Sequence, residues 1–334
     1  MSVRVAPIGR APTAPTETGG RWRSKWKEGE RARLLRIGVI SAYPHDDWHA
    51  RRIVEAATRS AQADVLDPCD FAAEITAGRS RILVRGRDAA DWDLFLTPRA
   101  LGDSGDADVQ LELYRVLARA GAAVSNDVDA LLVALDKFRT SWELSRAGLP
   151  TPDARVVQTE EQARAALDEL GDAVAKPVYG SLGLGVERLG RGDDARLQAL
   201  LAARGALYLQ RFVDGARLDV RAFVVGDRVE AAMGRVPRSG DFRSNAHQGA
   251  AGRALELDDK EAAIAVAATR ALGLDYSGVD LLVGAEGAQV LEVNGTPSFR
   301  AIYEATGRDM APAIVAHAIQ RIHRRRQSEW RKAE

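Results

Sequence analysis

Asp280, Glu292 and Asn294 stand in a segment whose other residues read as a buried hairpin. The stretch 280–298, DLLVGAEGAQVLEVNGTPS, has two apolar runs around a Gly-Ala-Glu-Gly-Ala turn. Residues two apart in a strand share a face. Glu292 and Asn294 therefore point the same way, and Asp280 can join them from across the turn. Hard oxygen donors converging at strand ends suit magnesium, which takes one or two carboxylates, keeps waters and shares substrate phosphates. The bland alternative is the solvent-facing side of an edge hairpin. It is disfavoured because the neighbours on both parities are apolar, and an uncompensated carboxylate between covered faces is unfavourable.

Magnesium with phosphates implies a nucleotide, and KPVYGSLGLG supplies a loop for one. Lys176 ends a strand and Gly180, Gly183 and Gly185 follow. Glycines let backbone N–H groups approach phosphate oxygens, and the lysine adds charge. The lysine precedes the glycines and no Gly-Lys-Ser/Thr occurs, so this is not a Walker loop. A plain glycine-rich hairpin turn is the competing reading, and Lys137 in LDKFRT says little alone. A third segment, 234–252, sets Arg235, Arg238, Arg243, Asn245 and His247 among glycines. Several arginines in one loop suit an anionic substrate. A polar surface loop is the alternative, and His247 reads as structural.

These residues need elements to carry them. Residues 1–35 are rich in Pro, Thr, Gly, Arg and Lys without an apolar period, and read as a disordered, basic tail with Trp22 and Trp26 in it. From Arg36 the strands RIGVIS, ADVLDP, RILVRG, DWDLFLTPR and AAVSND are interspersed with the helices DDWHARRIVEAATRS and DADVQLELYRVLARAG. That predicts a doubly wound α/β domain over 36–130, with no G-x-G-x-x-G after its first strand. One helix is expected from about Asp129 to Gly148. A strand, a helix with a Thr159–Gln162 capping box and the glycine-loop hairpin follow, then a helix and the strand LYLQRFV. An antiparallel hairpin turning at Gly226-Asp227, a helix, the metal hairpin and a last helix over 309–326 complete an α+β portion. The predicted units are 131–207 and 208–326, with 327–334 as a tail.

Bulk properties exclude several classes. The 334 residues hold 47 Lys+Arg against 47 Asp+Glu, so no net charge draws nucleic acid or membrane. The basic run RIHRRR lacks interleaved aromatics and reads as a solvated helix face. Cys69, the single cysteine, permits no internal disulfide and reads as a small apolar filler. No apolar run approaches the ~18 residues of a membrane span, and the start lacks a signal-peptide core. A cytoplasmic protein is expected.

In order, Lys137, AKPVYGSLGLG, LYLQRFV, LDVRAFVVG, GDFRSNAHQGA, SGVDLL and LEVNGTPS resemble the ATP-grasp superfamily. The branch they resemble most is the RimK-type glutamate ligases, with glutathione synthetase further off. The glycine loop looks more like that of ligases adding glutamate to pterin-type cofactors. The resemblance implies three domains, with ATP between two α+β halves. By carry-over, Lys137 and Lys176 contact ATP phosphates beside the loop of Gly183. Gln210, Arg211, Phe212 and Val213 form the hinge strand on adenine, and Asp219 holds the ribose. Asp280, Glu292 and Asn294 bind two magnesium or manganese ions. Arg243 stabilises the tetrahedral intermediate, with Ser244 and Asn245 beside it. Arg211 stands where an acid is common in that family, and RFVDGARLD is about a residue shorter.

The implied reaction is ATP-dependent ligation through an acyl phosphate, with ADP and phosphate released and glutamate added to an acceptor carboxylate. Catalysis then rests on positioning and charge neutralisation. The acceptor stays open among a pterin- or furan-type cofactor, a small peptide and a protein C-terminus, with a small molecule favoured. A homo-oligomer also stays open. Two other classes compete: a nucleotide-binding regulator without catalysis, and an RNA binder using the basic helix.

Overall fold

The computed structural model describes residues 34–100, 105–178, 185–213, 218–235, 252–284 and 287–331. Arg243, Ser244 and Asn245, the loop glycines Gly180 and Gly183, His247 and the N-terminal tail lie outside the described residues.

The first domain is wound as expected around a four-stranded parallel sheet. Its strands are β1 (Leu35–Ser41), β2 (Ala61–Leu66), β6 (Leu94–Arg99) and β7 (Ala123–Ser125), in the order β2-β1-β6-β7. Alternate residues of β1 enter opposite cores. Ile37 and Val39 meet Ile53 of helix α1 (Trp48–Ala57), whereas Ile40 joins Tyr114 and Leu117 of α2 (Ala107–Arg119). RILVRG does not belong to this sheet. It forms β4 (Arg79–Val84) of a separate antiparallel sheet with β3 (Phe71–Thr76) and β5 (Arg87–Asp88). The sequence hides β3 because most of its residues, Phe71 excepted, face outward and give no apolar alternation. Cys69 is exposed rather than filling a core. It sits in a short turn whose cap, Asp67, accepts from the Cys69 N–H at 2.8 Å.

The helix expected from Asp129 is two helices, α3 (Val128–Leu135) and α4 (Lys137–Arg146). Asp136 between them has φ −98° and ψ 108°, extended rather than helical, and its carboxylate caps α4 through the Arg139 N–H at 3.0 Å. The Lys137 N–H donates to Val178 O at 3.1 Å, so the break ties Lys137 to the chain just past Lys176. Leu131 and Leu144 pack under the five-stranded sheet described below.

A four-stranded antiparallel sheet follows: β8 (Ala154–Val157), β9 (Ala173–Lys176), β10 (Glu187–Leu189) and β11 (Leu207–Arg211), in the order β10-β9-β11-β8. Helices α5 (Glu160–Leu170) and α6 (Asp194–Arg204) share its core of Leu167, Ala175, Leu200 and Leu209. The unit boundary expected at 207/208 thus falls inside β11. At α5, Thr159 Oγ1 accepts from Gln162 N at 3.2 Å, but Gln162 Oε1 returns to Gln158 N rather than to the cap residue.

The last sheet is antiparallel and ordered β14-β13-β12-β15-β16. It comprises β12 (Leu218–Val225), β13 (Arg228–Arg235), β14 (Gly252–Leu255), β15 (Tyr276–Gly284) and β16 (Gly287–Asn294). β12 pairs with β13 on either side of Gly226-Asp227, and β15 with β16 as far as Gly284 and Gly287, the strand partners the sequence predicts. Helix α7 (Asp259–Ala271) packs on one face, with Val220, Val279, Leu281 and Val293 beneath it. Phe223, Met233 and Tyr276 cover one end of the other face and share a core with Ile37 of the first domain. Helices α8 (Arg300–Thr306), unforeseen from sequence, and α9 (Ala311–Arg331) close that core through Ile302 and Ile314. α9 runs past the expected end at 326. No described helix is long and apolar enough to cross a membrane.

Candidate active site

The other end of that face of the five-stranded sheet carries the charges. Asp280 pairs directly with Glu292 across β15 and β16, and Gly278 with Asn294. All three candidate metal ligands therefore share one face. A one-residue bulge makes this so. Glu292 opposes Asp280 and Val290 opposes Leu281, so Leu291 is the extra residue. Without it, Glu292 would share the face of Val290, which is fully buried under α7. The bulge swaps parity and turns the carboxylate out of the core, a common use of bulges beside functional sites.

Asp280 is not free on that face. It is 2% exposed and accepts from both Arg221 and Arg235. Arg221 faces it from β12 with two N–H groups, one at 2.8 Å, and Arg235 reaches it from β13 at 2.9 Å. Arg235 also donates to Asp219 through Nε at 3.0 Å. Burial works to raise the Asp280 carboxyl, but the two guanidiniums outweigh it and hold it below the ordinary carboxylate range. Burial pushes Asp219 up to about 6, against the pull of Arg235. Glu292 is more open, and Lys137 Nζ lies 3.5 Å from its Oε1. Asn294 Oδ1 accepts from Thr296 N at 3.0 Å and turns the chain after β16.

The four-stranded sheet faces these groups with Lys176. Its ammonium donates to Gln210 Oε1 at 2.6 Å, and Gln210 Nε2 donates to the Tyr208 hydroxyl at 3.1 Å. Tyr208 pairs with Lys176 across β11 and β9, and its hydroxyl meets Ser141 of α4 at 2.7 Å. Burial lowers the Lys176 ammonium to about 8. Glu292, Asp280 and Asp219 pull it up, and Lys137 pushes it down. Those influences place both lysines and the three carboxylates within one another's field.

The structure thus gathers Lys137, Lys176, Gln210, Asp219, Asp280 and Glu292, with Asn294 on the shared sheet face. Arg211 and Phe212 lie at the edge. Arg211 donates to Asp153 at 2.9 Å and to Leu170 O at 2.8 Å, and Phe212 lies under the Arg188 guanidinium at 3.9 Å. Val213 is half-buried at the end of that strand segment. Sequence reading missed Arg221. Its signal was present, because Arg221 and Asp219 alternate in an otherwise apolar strand just as Glu292 and Asn294 do. Among the described residues no three of His, Cys, Asp and Glu gather as a metal site. The candidate set instead pairs two carboxylates with the Asn294 amide, all hard oxygen donors that fit magnesium.

Solved structures share this architecture. The ATP-grasp ligase PsnB complexed with its minimal precursor superposes with a TM-score of 0.69 at 24% identity, covering 86% of this chain and 99% of that one. D-alanine–D-alanine ligase from Bacillus anthracis complexed with ATP gives a TM-score of 0.60 at 17% identity, covering 89% and 100%. The fold is that of the ATP-grasp ligases, as the motifs implied. A RimK-like ATP-grasp domain matches residues 134–318. A probable alpha-L-glutamate ligase of Rhodopirellula baltica is 35% identical over 301 residues, 86% of this chain and 72% of that protein. The tetrahydromethanopterin:alpha-L-glutamate ligase of Methanosarcina acetivorans is 29% identical over 325 residues, 85% and 98% of the two chains. This chain belongs to the RimK-like ATP-grasp family.

Proposed function

We propose that this protein is an ADP-forming ligase that joins the amine of glutamate to the carboxylate of a small-molecule acceptor. The observation that carries the reading is the convergence of Lys137, at the start of α4, and Lys176, at the end of β9, on Glu292 and Asp280 of the five-stranded sheet. Ammonium groups converging on hard oxygen donors suit a nucleoside triphosphate and its metal. The relatives named alpha-L-glutamate ligase support glutamate, and the tetrahydromethanopterin ligase supports a small acceptor.

In this reading Lys137 and Lys176 neutralise phosphate oxygens, and Gln210 holds Lys176 in place. Gln210 to Val213 line the adenine side and Asp219 the ribose side. Glu292, Asn294 and Asp280 hold two magnesium or manganese ions, with Arg221 and Arg235 fixing the Asp280 carboxylate. When bound, the ions neutralise and align the phosphate oxygens. Arg243, with Ser244 and Asn245, supports the developing charge at the acyl carbon. The acceptor carboxylate attacks the terminal phosphate, and the amine then displaces phosphate from the acyl carbon. Charge stabilisation and alignment supply the acceleration, without an enzyme nucleophile.

A coupled ADP assay with a panel of amino acids, in an extract that contains acceptors, tests this. Glutamate is expected to stimulate ADP release, and mass spectrometry is expected to find an acceptor heavier by glutamate. Stimulation by aspartate, lysine or cysteine but not glutamate overturns the donor. A peptide product overturns the small acceptor, and release of AMP overturns the acyl-phosphate route.

A further inference from the structure

A hydrogen-bonded chain runs from the first domain to the turn after the metal strand. Asp47 caps α1, and its side chain is fully buried. Asp47 Oδ2 accepts from the Ser41 hydroxyl at 2.7 Å, and Ser41 Oγ accepts from Tyr43 N at 3.2 Å. Asp47 Oδ1 accepts from His49 N at 2.9 Å and faces His49 Nδ1 at 3.1 Å. Burial works to raise this carboxyl, but hydrogen bonds from His49 and Ser41 outweigh it and hold it at about 2. His49 Nε2 then lies 2.9 Å from Ser298 Oγ, a residue 249 positions away. Helix capping explains the bond to the His49 N–H. It does not explain a bridge from the ring to the loop beside Asn294.

The polarity of this chain is fixed. An ionised carboxylate only accepts, so Nδ1 carries the imidazole proton. In the neutral ring Nε2 is then a bare acceptor, and it takes the Ser298 hydroxyl proton. The half-buried Ser298 oxygen presents lone pairs alone to its surroundings. It can receive a donor and cannot give one. Asp47 is the charged group on the ring, with Trp48 and Phe299 edge-on at 5.3 and 4.8 Å. The next charged pair, Arg52 with Asp309 at 2.7 Å, lies one helical turn further on.

We infer that Ser298 receives the attacking amine, with His49 and Asp47 as positioning residues that orient its hydroxyl. The inference rests on the ligase reading above and assigns the amine end of that site. The chain also gives the ammonium proton a destination. That proton passes to Ser298 Oγ as the Ser298 proton passes to His49 Nε2, leaving a neutral amine and an imidazolium paired with Asp47. The amine lone pair forms the C–N bond as the acyl carbon–phosphate oxygen bond breaks, and the second N–H proton leaves with phosphate.

Calorimetry with ADP and magnesium present, comparing L-glutamate with glutarate, tests this. Glutarate is the same dicarboxylate without the amine. Ser298→Ala is expected to weaken L-glutamate by at least about tenfold, the low end for losing a hydrogen bond to a charged group. It should leave glutarate unchanged and the melting temperature close to wild type. Ser298→Thr keeps a hydroxyl and should restore glutamate binding. His49→Phe should weaken L-glutamate and leave glutarate unchanged. Equal change for both ligands, or none, in Ser298→Ala overturns the inference whether or not His49→Phe folds. A wild type that binds another amino acid in place of glutamate removes the glutamate reading alone. The same comparison with that amino acid and its des-amino analogue then decides Ser298. A wild type that never prefers an amine over its des-amino analogue overturns the inference.

Discussion

Lys176 is a cation held in partial burial, and its charge is the property most open to perturbation. Its ammonium is already down at about 8, and triphosphate oxygens favour the charged form. Nucleotide binding should therefore raise that value and take up a proton. Affinity for ATP is expected to fall as pH rises through about 8. Calorimetry at that pH in two buffers of different ionisation enthalpy should detect the uptake, and Lys176→Met should abolish it. The free protein behaves oppositely. A lysine lowered on folding binds fewer protons folded than unfolded between about 8 and its ordinary 10.5, so this contribution to stability rises with pH across that window. Glu292 sits at the other pole. Its side chain is 40% exposed, so Glu292→Ala should leave the melting temperature near wild type. It removes the ion pair with Lys137 and a candidate metal ligand, and ADP release is expected to drop by on the order of 10²-fold or more. A variant with near-normal release would place the metal elsewhere.

At the scale of elements, two irregularities position these residues, and neither was legible. The apolar period runs through Asp136 without interruption, so the sequence spells one helix. A buried carboxylate 5% exposed, capping α4, decides for two. Asp136→Ala should destabilise by about 1 kcal/mol, the usual loss for a cap. By letting the helix run on, it should also draw Lys137 away from Val178 and weaken ATP binding in the same titrations. The bulge at Leu291 is the second irregularity. Alternation correctly put Glu292 and Asn294 on one face and Asp280 opposite. It could not say which face was open, because pairing register depends on a partner strand. Glycine gave a similar partial signal. A Cβ on Gly278, opposite Asn294, would come within 3.0 Å of Pro297 Cβ and 3.1 Å of Arg221 Cδ. Gly278→Ala should therefore shift the arginine that holds Asp280 and slow ADP release while the sheet persists. Local patterns of strands, hairpins and motif order were readable from single segments. The antiparallel β3-β4-β5 sheet and the Ser41–Asp47–His49–Ser298 chain were not, since each depends on neighbours distant in sequence or faces outward.

At the scale of the molecule, the first domain and the five-stranded sheet share one core, and Asn126 fastens them. Its buried amide donates to Tyr276 O and Gly295 O at 2.8 and 2.7 Å, and its oxygen accepts from Asp275 N and Tyr276 N at 2.7 and 3.1 Å. Asn126→Ala orphans these backbone groups in a dry interior and should destabilise by roughly 3 kcal/mol or more in chemical unfolding. The four-stranded sheet stands apart, with a core drawn wholly from residues between Val157 and Leu209. That division has a consequence for amide exchange. A lobe with its own core can open as a cooperative unit while the remainder stays closed. Protons on Ala173–Lys176 and Leu207–Arg211 should then exchange together and earlier than those on Ile37–Ile40 and Val220–Val224. A nucleotide gripped from both sides raises the free energy of that opening by its binding energy, so saturating ATP and magnesium should slow the early class and leave the late one alone.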